Sequence, residues 1–198
     1  MSAATPRDPQ LPSSQYGRLA RWLHWSLAVL IVAILFIGLA MVSSLTYRPQ
    51  LVNLHMPLGI AILALVALRA WNAWRRGVPA YSPPLPRWQA RLAHATHLLL
   101  YALMLAMPLI GWGVASTSDL PVHLPGGWLL PPILPVNTWL YSVLRDAHTV
   151  LAWVLLMLIV GHIGAAVHHA MWLRDGILAR MTGCRQDKDV RTAPVDPG

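Results

Sequence analysis

Four stretches of this chain, residues 22–47, 49–68, 92–118 and 147–173, contain no Asp, Glu, Lys or Arg. Each has about the length needed to cross a bilayer, roughly 20 residues. In hydrocarbon the backbone must satisfy its own hydrogen bonds, so each stretch is predicted to be a helix, the second continuing to about Trp74. A β-barrel needs many short alternating segments, and the chain has none. The expected fold is therefore all-α, an integral membrane four-helix bundle. Composition agrees: 56% of residues are hydrophobic and 11% charged, against about 25% charged in a soluble domain.

The remaining charges set an orientation. There is no Glu, a single Lys (Lys188) and 14 Arg. Arg7, Arg18 and Arg21 precede the first span. Arg69, Arg75, Arg76, Arg87 and Arg91 surround the connection between the second and third. Arg174, Arg180, Arg185, Lys188 and Arg191 follow the fourth. Only Arg48 and Arg145 fall on the other side. Cytoplasmic loops carry the excess of Lys and Arg, so both termini are expected in the cytoplasm. Basic residues placed beside apolar spans are a topology signal, and nucleic acid is not an expected partner; membrane lipid is. Residues 1–18 read as a polar tail without a signal peptide's apolar core and cleavage site, 19–181 as the bundle and 182–198 as a second polar tail. Pro79, Pro83, Pro84 and Pro86 stiffen the link between spans two and three. The outer loop at 116–144 mixes Pro with Trp128, Leu129, Leu130, Ile133 and Leu134, as a loop lying on the membrane surface would.

With one cysteine, Cys184, no Cys-based metal site can be built, and nine histidines are the abundant ligand chemistry. Ionisable residues inside spans are costly and usually functional. His148 and His162 share the fourth span. Fourteen residues at about 100° each fall only about 40° short of four turns, so the two rings lie on nearly one face, about 21 Å apart along the axis. His55 matches the outer level and His24 the inner one. Two stacked bis-histidine sites suit iron porphyrins, whose metal takes two axial imidazoles. Gly38 lies fourteen residues after His24, Gly59 one turn after His55, and Gly161, Ala165 and Ala166 surround His162. Such gaps admit a flat macrocycle, or simply let helices pack closely. Arg69, fourteen residues after His55, reaches the inner level and either pairs with a haem propionate or snorkels to the surface. His94 and His97 compete with His24 for the inner iron or serve beside it, on the quinone side or in proton handling. His168 and His169 sit at headgroup depth, and His123 in the outer loop.

The pattern resembles the bacterial cytochrome b561 family over about residues 16–181. The resemblance is carried by Tyr16-Gly-Arg-Leu-Ala-Arg-Trp-Leu-His24-Trp25, by Leu54-His55 with Gly59 and the Arg69 region, by the segment from Leu92 to Leu98 containing His94 and His97, and by Met107 to Trp112. Ala147-His148 and His162-Ile-Gly-Ala-Ala166-Val-His168-His169 complete it, ending in Asp175 and Arg180-Met181. The resemblance implies two haem b groups on His24, His55, His148 and His162, and a multi-pass protein of the bacterial inner membrane. It also implies electron exchange between an outer-side donor, superoxide or a redox protein among the partners, and ubiquinone. If superoxide is the donor, Arg48 and Arg145 are the outer cations that would attract it. Two other readings compete: a cytochrome b anchor subunit of a larger dehydrogenase or hydrogenase, and a metal transporter. The absence of intramembrane carboxylates argues against transport.

Cys184 makes the topology testable without engineering. A membrane-impermeant maleimide should label it in inverted vesicles and not in intact spheroplasts; the reverse pattern would overturn the orientation.

Overall fold

The computed structural model describes residues 16–77, 86–174 and 177–182. The two tails, the proline-rich link at 78–85 and Cys184 lie outside the described residues. Four long helices dominate: α1 (Arg18–Ser43), α2 (Arg48–Arg76), α3 (Arg87–Thr117) and α4 (Thr138–His168). A turn of π-helix, His169–Leu173, extends α4, and a short α5 (Ile177–Thr182) follows. All four long helices are apolar and long enough to span a membrane.

At the ends bearing arginine the helices outrun the uncharged stretches, because those ends reach the polar interface where Arg is tolerated. Thus α2 ends in Arg75 and Arg76, and α3 begins at Arg87, whereas α1 stops at Ser43, short of the expected Tyr47, where Ser44 turns extended. The largest difference is at α4, which starts nine residues before the expected span. Asn137 caps it: its side-chain oxygen accepts from the Leu140 N–H at 2.9 Å. Arg145 and Asp146, expected just outside the span, then fall within the first turns of the helix. Pro57 and Pro108 stand inside α2 and α3, which membrane helices accommodate through neighbouring groups.

The loop between α3 and α4 is correspondingly shorter than expected, and it has structure. β1 (Val122–His123) pairs antiparallel with β2 (Leu129–Leu130) around Gly126 and Gly127, both at positive φ. Val122 is buried, and β1 packs on α2. Ser116 accepts from the Ile133 N–H, the Thr117 carbonyl accepts from the Asn137 N–H, and the Trp112 indole donates to the Pro131 carbonyl. These bonds fold the loop back over the bundle end. Trp128 and Trp139 stay about three-quarters exposed there, while Trp22, Trp74, Trp88 and Trp172 are exposed at the other end. Exposed indoles at both ends fit the aromatic belts of a membrane protein.

The helices pack in chain order: α1 on α2, α2 on α3, α3 on α4. Neither α1 nor α2 packs closely against α4. The shared core is one apolar layer at mid-length, made by Leu27, Ile31, Ile62, Val66, Leu100, Leu103 and Leu155. Lipid is as apolar as leucine, so this layer holds by close packing rather than by escape from water. Leu27 is 1% exposed and Val29 66%. Leu27→Ala should therefore cost on the order of 2 kcal/mol through the cavity it leaves, lowering the thermal midpoint in detergent, while Val29→Ala should barely move it.

Candidate functional site

The fourteen-residue spacing noted on α1, α2 and α4 also runs on α3. Each helix presents one group at the end bearing the termini and one at the end capped by the hairpin. The pairs are His24 and Gly38 on α1, Arg69 and His55 on α2, His97 and Gly111 on α3, and His162 and His148 on α4. Halfway between stand Ile31, Ile62, Met104 and Leu155, all in or against the apolar core. Seven residues of helix, about 10 Å, separate this layer from each level.

At the hairpin end the His55 and His148 rings face each other with centroids 6.3 Å apart, at 65° between planes. Glycine makes room for both. A Cβ on Gly38 would meet His55 Cε1 at 3.6 Å, and one on Gly111 would meet His148 Cε1 at 3.3 Å. Nδ1 of His55 and Nδ1 of His148 are buried without a hydrogen-bond partner. The Met107 carbonyl interacts with the His148 ring but falls outside hydrogen-bonding geometry. Two buried Nδ1 atoms without a partner, on rings set edge-on to each other, call for a further group at the pair, because an unsatisfied buried polar atom is costly.

At the termini end His24 and His162 have centroids 6.5 Å apart, at 76°. Here the surroundings are polar. The Arg69 guanidinium donates to His24 Nδ1 at 2.6 Å and to the Tyr101 hydroxyl oxygen at 2.8 Å. His97 also reaches this level, its ring 5.4 Å from that of His162. Arg69 is thus half-buried and turned into the bundle, so the snorkelling alternative does not describe it.

Ring spacing separates the candidate ligands. A first-row metal–imidazole bond is about 2 Å and the ring centroid lies about 1.15 Å beyond the nitrogen, so two trans imidazoles on one metal have centroids about 6.3 Å apart. Both the His24–His162 and His55–His148 distances fit. The His97–His162 distance, at 5.4 Å, is nearly 1 Å shorter than that spacing, so the His24 pairing is the one that would hold such a group better. The helices that carry the paired rings, α1 and α4 or α2 and α4, do not pack closely against each other, so the rings meet across a looser contact than those between helices adjacent in the chain. Among the described residues no cluster of three or more His, Cys, Asp or Glu side chains is placed to hold a metal ion. Paired axial imidazoles, with a macrocycle supplying the equatorial donors, match this donor set.

The other histidines stand apart. His94 and His123 are exposed. His168 stacks on Trp172 at 5.9 Å and 16°, and His169 lies 6.0 Å from His168, both past the termini-end level. Two apolar surface grooves, one over Trp153 and Met157 and one between Trp22, Trp25 and Leu65, contain none of the paired histidines. Sequence reasoning missed Tyr101, whose one signal was its place one turn after His97 on the same face. Gly111 was read only as part of the Met107–Trp112 motif, although its fourteen-residue distance from His97 repeated a period already noted.

A family model described as prokaryotic cytochrome b561 matches residues 15–183. Cytochrome b561 homolog 1 of Escherichia coli (strain K12) is 28% identical over 173 residues, covering 85% of this chain and 97% of the relative. A probable superoxide oxidase, CybB, of Yersinia pestis is 30% identical over 168 residues, covering 84% and 95%. Cytochrome b561 homolog 2 of Escherichia coli is 28% identical over 178 residues, covering 85% and 92%.

The two glycines beside the hairpin-end pair should respond differently to a methyl group. Gly38→Ala meets ordinary contact at 3.6 Å and gains about 1 kcal/mol of helix propensity. Gly111→Ala presses on His148 at 3.3 Å, and overpacking costs about 1–3 kcal/mol. The thermal midpoint should hold or rise in the first and fall in the second. Equal shifts would show that the His148 ring moves freely.

Proposed function

The chain belongs to the prokaryotic cytochrome b561 family, and from that premise we propose that it is a di-haem b electron-transfer protein of the bacterial inner membrane. In this reading one haem is held by His24 and His162 at the cytoplasmic end and the other by His55 and His148 at the periplasmic end. The observation that carries the reading is the pair of imidazole facings at 6.5 and 6.3 Å, one on each side of a single apolar layer.

Haem, when bound, supplies reversible one-electron chemistry; the protein supplies ligation, burial and charge. His148 and His162, on one rigid helix, fix the spacing of the two centres. The hairpin loop, bonded back to α3 through Ser116, Thr117 and Trp112, covers the periplasmic end. Arg69 provides a cation for a propionate at the cytoplasmic level.

The donor proposed is superoxide and the acceptor ubiquinone. Each superoxide gives up one electron and leaves as dioxygen; two electrons and two protons convert ubiquinone to ubiquinol. Support comes from the name of the Yersinia pestis relative and from Arg48 and Arg145, exposed cations at the periplasmic end, where a positive field raises the encounter rate of a small anion.

A reduced-minus-oxidised spectrum of the purified protein, with its haem-to-protein ratio, tests the reading. Wild type should show b-type bands at a ratio of about two. His162→Ala should lose the cytoplasmic haem and His148→Ala the periplasmic one, each keeping the other. Absence of b-type bands sinks the proposal, and one haem in wild type removes one of the two pairs.

A further inference from the structure

The two histidine pairs differ in their surroundings. The periplasmic pair lies between glycines with both Nδ1 atoms unpartnered. The cytoplasmic pair has a guanidinium beside it. Arg69 donates from Nη1 to His24 Nδ1 at 2.6 Å and from Nε to the Tyr101 hydroxyl at 2.8 Å, with its central carbon 5.6 Å from the centroid of the Tyr101 ring. Arginine stays protonated in proteins. Among the described residues the acids are Asp119 and Asp146, both toward the hairpin end, so no described carboxylate neutralises Arg69.

The two bonds of Arg69 are not equivalent. A guanidinium only donates, so its bond to His24 requires a bare lone pair on Nδ1 and the proton on Nε2. A neutral imidazole that binds a metal through Nε2 carries its proton on Nδ1 instead. Those two requirements exclude each other. The bond to Tyr101 is indifferent to the His24 tautomer, because the phenolic oxygen accepts in either case.

We propose, resting on the di-haem reading, that Tyr101 is a positioning residue that anchors the Arg69 charge beside the cytoplasmic iron, and that this pair makes the cytoplasmic site the electron-accepting end of the protein. Ferric haem carries one more positive charge than ferrous. A fixed cation beside it therefore favours the reduced form, and it does so with the same sign whether it faces the iron or neutralises a propionate. Coulomb energy falls with distance. The periplasmic pair, about 21 Å along the helices from Arg69, receives only a fraction of the effect. One electron leaves the periplasmic iron and one enters the cytoplasmic iron, with no bond or proton exchanged, so the charge difference favours inward transfer.

The test is a spectroelectrochemical titration of the purified full-length protein, with electron paramagnetic resonance separating the two haems. In wild type the cytoplasmic haem should have the higher midpoint. Arg69→Gln should lower that midpoint and leave the other in place. Tyr101→Phe keeps the ring and the charge but removes the acceptor, and should lower the same midpoint by less than Arg69→Gln does, at unchanged haem content. Arg69→Lys keeps the charge without the planar fork and should fall between. A wild-type midpoint in Tyr101→Phe overturns the anchoring role. If Arg69→Gln moves both midpoints or neither, the charge asymmetry is overturned whatever Tyr101→Phe does. A wild-type protein without b-type bands overturns the di-haem reading itself, whereas bands whose midpoints ignore both substitutions overturn only this inference.

Discussion

An α-helix returns to nearly the same face after fourteen residues, having risen about 21 Å. That geometry is used on all four long helices at once. His24 and Gly38, His55 and Arg69, His97 and Gly111, and His148 and His162 are spaced alike. Two levels of interior groups follow without further design, one at each end of the bundle. The residues at half the spacing, Ile31, Ile62, Met104 and Leu155, meet as the apolar layer. The same repeat that builds the two sites thus builds the packing that separates them. The drift of about 40° per fourteen residues is small enough for one helix, α4, to serve both.

Much of this was legible from residue spacing because the lipid-facing surface excludes polar groups. In a water-soluble domain a histidine has many places to be; inside a span it has few. Hence the four paired histidines and Arg69 stood out, and the structure brings together the pairs that depth suggested. What spacing alone did not show was physical detail of another kind. The start of α4 was hidden because the charges of Arg145 and Asp146 end the uncharged stretch, while the Asn137 cap begins the helix before them. The hairpin at Val122–His123 and Leu129–Leu130 rests on two glycines at positive φ, a backbone property that composition only hints at. Tyr101 was hidden because its place one turn after His97 is a weak signal among leucines; its meaning arises only when α2 brings Arg69 to its hydroxyl.

The two sites share a donor set and differ in everything around it. At the hairpin end each ring rests against a glycine, and nothing polar satisfies Nδ1. At the termini end a guanidinium, a phenol and a third imidazole crowd the pair. His97 illustrates how finely distance decides role. Its ring is closer to that of His162 than the His24 ring is, 5.4 against 6.5 Å, so its spacing matches two imidazoles sharing one metal less well. Proximity to a ligand and suitability as one are opposed here.

A bundle in lipid has no aqueous surface on its flanks to which charge can retreat, so any ionised group must lie at the ends or in the interior. Among the described residues of the spans only Arg69 takes the interior course while keeping hydrogen bonds to two neighbouring helices. Its distance from the hairpin-end pair follows from the same fourteen-residue repeat, and the apolar layer between contains nothing that could relay its charge. Among the differences between the two histidine pairs, this cation is the one that carries charge. The inequality depends on the period of the helix as much as on the arginine: one or two residues further along α2, the guanidinium would swing by about 100–200° and leave the seam.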